Sequence, residues 1–198
     1  VSRTFTINAV AADAPTAVSA TAGDGSATIS FTAPASNGGA AISSYTVTAS
    51  PGGLTASGNG SPIVLSGLTN GVAYTFTVTA TNGAGTSAAS AASSPVVPMG
   101  QQSISFDEPG SQNFNSPPSL SATASSGLPI TFSSATPEVC TVSAEGVVAF
   151  IATGSCTVHA DQSGSANYLA ASRVSRTFTI NAVAADAPTA VSATAGDG

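Results

Sequence analysis

Apolar and polar residues alternate along much of the chain. At 26–32, SATISFT, Ala27, Ile29 and Phe31 alternate with Thr28 and Ser30, and at 44–50, SYTVTAS, Tyr45, Val47 and Ala49 alternate with Thr46 and Thr48. A period of two sends successive side chains to opposite faces of a strand, so both segments predict strands buried on one side. The longest run, 72–82, places Val72, Tyr74, Phe76, Val78 and Ala80 on one face and Thr75, Thr77, Thr79 and Thr81 on the other. This predicts a central strand. Farther on, SISF (103–106), LSATAS (120–125), LPITF (128–132), VCTVS (139–143), VVAFIA (147–152), SCTVHA (155–160) and RTFTIN (176–181) are short strand candidates at the spacing of a β-sandwich. Asn37-Gly38, Asn59-Gly60, Asn70-Gly71 and Asn82-Gly83 supply tight-turn signals in the first half.

A repeat organises these elements. Residues 1–25, VSRTFTINAVAADAPTAVSATAGDG, return unchanged at 174–198, a period of 173 residues. Surface loops tolerate substitution, so full identity over this length implies a recent duplication within a longer array. The period exceeds that of solenoid repeats and suits two sandwich domains of about 85 residues each. The expected architecture is all-β, two immunoglobulin-like β-sandwiches in tandem with partial strands of neighbouring repeats at both ends. Residues 1–13 are expected to hold the last strand of a preceding domain and a linker, 14–98 the first sandwich, 99–183 the second, and 184–198 a linker and the first strand of the next domain.

Composition narrows the chemistry. Of 198 residues, Lys and Arg contribute 3 and Asp and Glu 9, for a net charge of −6, while Trp is absent and the charged fraction is only 6%. All three cations are arginines, Arg3, Arg173 and Arg176, so lysine-dependent phosphate binding, Schiff-base chemistry and isopeptide cross-links are excluded. Binding to a nucleic-acid backbone needs many cationic contacts, which this chain lacks. The 42% apolar content, arranged with strand periodicity, argues for a folded chain despite the low charge.

The segments FTAPASNGGAAISSYTV (31–47) and LTNGVAYTFTVTATNGAG (68–85) resemble a bacterial fibronectin type III domain. In that resemblance Phe31 stands where the family usually has Trp, and Leu68, Gly71 and Tyr74 correspond to the tyrosine corner. There the Tyr74 hydroxyl is implied to bond nearby backbone and lock the crossover between sheets. The RGD tripeptide of some animal relatives is absent, so no integrin loop carries over.

The second sandwich contains both cysteines. Cys140 shares a strand face with Val142, and Cys156 with Val158, so both sulfurs point inward. A disulfide between them is expected to contribute about 3 kcal/mol by restricting the unfolded chain. Two buried free thiols are the alternative, whereas two Cys and one His fall short of the four ligands of a zinc site. The run 126–171 resembles a bacterial immunoglobulin-like repeat of long surface proteins, its marks being the Cys pair and the ANYLAA segment around Tyr168.

Other chemistry-bearing residues have plain structural readings. His159 alternates with the Cys face and is expected at the surface; no G-x-S-x-G elbow accompanies it, so catalysis is not expected. Asp24, Asp107, Glu108 and Asp161 are dispersed and form no calcium-loop motif, although separate loops could still assemble calcium at a domain joint. No cofactor or metal is expected. Asn59-Gly60-Ser61 matches a glycosylation sequon but is followed by Pro62. The threonines of the central strand, Thr75, Thr77 and Thr79, with Thr46 and Thr48 on its neighbour, form a candidate interaction face for ice, glycans or a second filament. Cross-strand pairing of exposed threonines is the plainer reading.

These observations point to a spacer repeat in the stalk of an extracellular bacterial surface protein resembling an adhesin. Its partners are expected to be neighbouring repeats of the same chain, with no membrane span in this stretch and no nucleic acid. A self-assembling extracellular filament held by lateral or strand-exchange contacts is the alternative. A third reading is an accessory stretch of a secreted polysaccharide-degrading enzyme.

Overall fold

The computed structural model describes Arg3 and residues 6–184. Among the described residues there are fifteen strands and no helix. Contacts divide the chain into two compact units: residues 1–102 with 163–170, and residues 103–162 with 171–198. Of the strand and linker expected at 1–13, residues 1, 2, 4 and 5 lie outside the described residues, as does the segment expected at 184–198 beyond residue 184. Within 6–13, the described part of the first segment is irregular.

Unit 1 contains β1 (Thr16–Gly23), β2 (Ser26–Thr32), β3 (Ile42–Ser50), β4 (Thr55–Gly58), β5 (Ile63–Ser66), β6 (Thr75–Asn82) and β7 (Gly85–Thr86). They form a three-stranded sheet in the order β1-β2-β5 and a four-stranded sheet in the order β4-β3-β6-β7. All pairs are antiparallel. Alternation dictates which faces meet: Ala27, Ile29 and Phe31 of β2, Tyr45, Val47 and Ala49 of β3, and Phe76, Val78 and Ala80 of β6 are all buried in one apolar cluster. The Phe31 and Tyr45 rings lie 4.9 Å apart within it. Burying the inward face of two sheets is the main stabilising term for a sandwich.

Residues 87–93 cover the free side of β6 in an arrangement that alternation does not reveal. Ser87, Ser90 and Ser93 are buried, and their amides donate to the carbonyls of Ala80, Val78 and Phe76 at 2.8, 2.9 and 2.9 Å. In return, the amides of Ala80, Val78 and Phe76 donate to the three serine hydroxyls at 3.0, 2.9 and 3.1 Å. Each hydroxyl also donates to the carbonyl of the following residue. Three residues of this segment therefore match two of β6, as in a chain of consecutive β-bulges. The serine oxygen replaces the carbonyl that a regular strand would offer.

Unit 2 contains β8 (Ile104–Phe106), β9 (Gln112–Asn113), β10 (Ala122–Ala124), β11 (Thr131–Ser134), β12 (Cys140–Val142), β13 (Val148–Phe150), β14 (Gly154–Asp161) and β15 (Val174–Asn181). Each of the seven segments expected from the sequence contains or overlaps one of these strands; β9 was not among them. The largest sheet has the order β11-β14-β15-β9, and two-stranded sheets pair β8 with β10 and β12 with β13. β15 is central: it pairs antiparallel with β14 from Val174 to Ile180 and parallel with β9. Its Phe178 and Ile180 are buried with Phe106, Phe132, Val158 and the two cysteines.

Candidate functional site

The outer face of the β4-β3-β6-β7 sheet carries hydroxyls wherever the inner face carries apolar groups. Register sets Thr46 opposite Thr79, Thr48 opposite Thr77 and Ser50 opposite Thr75. On the other side of β3, Thr46 faces Ser57 and Thr48 faces Thr55, and Thr81 faces Thr86 across the last hairpin. Hydroxyl contacts of 2.9 Å between Thr46 and Ser57 and 3.0 Å between Thr81 and Thr86 tie neighbouring strands together. The Thr79 hydroxyl reaches the Thr46 carbonyl at 3.5 Å. Thr46, Thr48, Thr75, Thr77 and Thr79 are thus brought onto one half-buried surface, where their methyl groups and hydroxyls suit cross-strand pairing.

At one end of the unit, the Tyr74 hydroxyl accepts a bond from the Thr69 amide at 3.2 Å. Leu68 is buried beneath it, and its amide donates to the Gly25 carbonyl at 2.9 Å. Gly71 has φ +83°, a conformation that other residues adopt only with strain, and its amide donates to Pro98. Asn70 was singled out only as a turn residue, yet its side chain accepts from the Gly25 amide and donates to Asp24, both at 2.8 Å. It ties the β1–β2 turn to the corner. At the other end, Asn82 donates to the carbonyls of Val10 and Asn37 at 2.8 and 2.7 Å, anchoring the segment before β1.

Cys140 on β12 and Cys156 on β14 form a disulfide with a Cα–Cα distance of 5.8 Å. The two strands belong to different sheets, so the bond joins them through a core in which both cysteines are fully buried. Ser134 donates to the Cys140 carbonyl at 2.7 Å, and Thr136 accepts from the Thr157 amide at 2.9 Å, bracing both sides.

The remaining candidates lie apart. His159 Nδ1 is 2.8 Å from the Ser175 hydroxyl, its partner across β14 and β15. Asp161 pairs with Arg173 at 2.8 Å, and this hydrogen bond raises the arginine pKa above its ordinary value. Asp24 is engaged by Asn70, while Asp107 and Glu108 follow β8. A hydrogen bond from Ser143 lowers the pKa of exposed Glu145. Ser61 of the sequon accepts from the Phe31 amide at 2.9 Å.

Two sheets packed face to face without helices define unit 1 as a β-sandwich of the immunoglobulin-like class. Residues 13–96 match the family model described as the fibronectin type III domain. No curated protein matches the sequence. Among solved structures, a three-domain stretch of titin shares 27% identity over 45% of this chain and 32% of its own, with a TM-score of 0.43. A titin module from human cardiac muscle shares 29% identity over 43% of this chain and 90% of its own, with a TM-score of 0.39. The FN1–FN3 domains of chicken CNTN1 share 15% identity over 91% of this chain and 71% of their own, with a TM-score of 0.42. The chain spans 32%, 17% and 31% of the lengths of three of the matched structures, those from titin, twitchin of C. elegans and the titin kinase region.

Proposed function

We propose that this chain is a structural spacer: one repeat of a long extracellular bacterial surface protein resembling an adhesin, in which fibronectin type III domains alternate with disulfide-bonded immunoglobulin-like domains. The observation that carries the reading is the unchanged 25-residue stretch at 1–25 and 174–198. Its second copy begins with β15, a central strand of unit 2. In a tandem array the first copy would be the corresponding strand of the preceding repeat, so each period would end one sandwich and begin the next. The disulfide supports an oxidising, extracellular setting. On this reading the work is mechanical, with no catalysis and no cofactor. Strand ladders resist extension, the disulfide shortens the length released when a domain opens, and the partners are neighbouring repeats.

One observation favours a second reading, a self-assembling filament. Ile7 is 95% exposed although the same octapeptide forms a strand at 174–181 in which Phe178 and Ile180 are buried. A segment with the sequence of a half-buried strand can be accepted at the sheet edge of another copy. Electron microscopy of the native material separates the two. Thin strings of beads spaced by a few nanometres, the scale of strands of about seven residues, support the stalk. A wide multi-chain fibre with helical order would overturn it in favour of the filament.

A further inference from the structure

The ANYLAA motif spans residues 166–171. Its first five residues lie in Ser163–Ala170, a segment that falls in the chain between β14 and β15 yet packs as part of unit 1. Its base is closed within unit 2, where the Ala171 amide donates to the Gln162 carbonyl at 3.0 Å and Arg173 pairs with Asp161.

Within unit 1 the tip is held as an extended peptide. Gly100 and Tyr168 form a parallel β-bridge. The Gly100 amide donates to the Asn167 carbonyl at 2.7 Å, and the Leu169 amide returns a bond to the Gly100 carbonyl at 2.9 Å. The Gln102 side chain adds a bond of 2.6 Å to the Leu169 carbonyl. Two glycines make the room. A Cβ on Gly100 would lie 2.8 and 2.9 Å from Cδ1 and Cε1 of the Tyr168 ring, closer than carbon atoms approach. A Cβ on Gly71, in the tyrosine corner, would collide with the Asn167 amide. Gly71 is also required by its φ of +83°, whereas no positive φ occurs at Gly100, where the tyrosine ring and, at 3.2 Å, Nδ2 of Asn70 leave no room for a side chain.

We propose that Asn167-Tyr168-Leu169 is a clasp bound in a peptide site on unit 1, with main-chain bonds from Gly100 supplying affinity and the space over Gly71 and Gly100 supplying selectivity for Asn and Tyr. This is peptide recognition by strand addition, with the peptide supplied by the same chain. The segment stays docked only while the site on Gly71 and Gly100 is intact. The inference holds whether the chain serves as a stalk or a filament.

The test uses the full chain and trypsin, whose targets here are Arg3, Arg173 and Arg176. Arg173 lies four residues after Leu169, the last residue of the clasp, so cleavage there reports release, at a rate that follows the population of the open form. Tyr168→Ala removes the ring and weakens two main-chain bonds, so cleavage after Arg173 should accelerate about tenfold. Gly100→Ala should do the same by pushing the ring out. Tyr168→Phe, which keeps the ring, should digest like the parent. The double variant Gly100→Ala with Tyr168→Ala should be no faster than either single variant, because both act on one contact. Parental cleavage rates in both single variants would overturn the clasp. So would multiplication of the two effects in the double variant, or acceleration after Arg176 equal to that after Arg173, which would signal general unfolding of unit 2.

Discussion

Ile7 and Ile180 occupy the same position of the same octapeptide, VSRTFTIN, yet Ile7 is 95% exposed and Ile180 is 1% exposed. The difference comes from the partners. Ile180 sits on β15, paired opposite Gly154 of β14 and packed in the apolar cluster of unit 2. Ile180→Ala should therefore cost about 2–5 kcal/mol, the range for emptying a core position. Ile7→Ala should change stability by less than about 0.5 kcal/mol, as at an open surface site. Urea unfolding of the two variants checks both values, and equal losses would mean that residues 1–8 are packed in solution.

The serine ladder beside β6 predicts a large effect from a small deletion. Ser90→Ala removes one oxygen but leaves the buried Val78 amide without its acceptor. An unsatisfied buried donor costs about 1–3 kcal/mol, more than a surface serine could contribute. Thermal unfolding of the variant, with Ser94→Ala as an exposed control, tests this: the control should melt like the parent.

Tyr74→Phe should cost less. It deletes the bond from the Thr69 amide while leaving the buried ring in place, and Thr69 is exposed, so water can take over its amide. A loss of about 0.5–1.5 kcal/mol is expected. Hydrogen exchange at Thr69 should quicken in the same variant, with core amides of β6 little changed.

Replacing both cysteines by alanine removes a cross-link between residues separated by 16 positions. By loop entropy this should lower the stability of unit 2 by about 3 kcal/mol. Following β14 and β6 resonances separately during denaturation checks it. The β14 signals should be lost first, and a parental midpoint for β14 would mean that packing alone holds β12 against it.

Much of this architecture was legible in the residues because regular strands write their faces into a period of two. β2, β3, β6 and β14 bury alternate positions and were readable as strands with an inner and an outer side. β1 buries none of its residues and its pattern holds no strong apolar alternation, so its strand was implied only through its copy at 184–198, where the first strand of a next domain is expected. β9 is two residues long and exists only because β15 lies beside it. The segment 87–93 has buried serines at every third position, a pattern that reads as a polar loop until its hydroxyls are seen meeting the amides of β6. At the tyrosine corner, Leu68, Gly71 and Tyr74 carried a recognisable spacing, whereas the bond from Asn70 to Asp24 spans 46 residues and left no local mark.

The sequence by itself determined which side chains could face inward, where the chain could turn, that two cysteines would share the core side of their strands, and that 25 residues recur. Those properties depend on neighbours one to four positions away. Only the tertiary structure decided that Ser163–Ala170 is bound by unit 1 and not by the strands flanking it, and that Ile180 is buried while Ile7 is exposed. Residues 1–8 and 174–181 have every side chain in common. Burial is a property of the surface that meets a strand from elsewhere in the chain, and an identical local sequence cannot specify it.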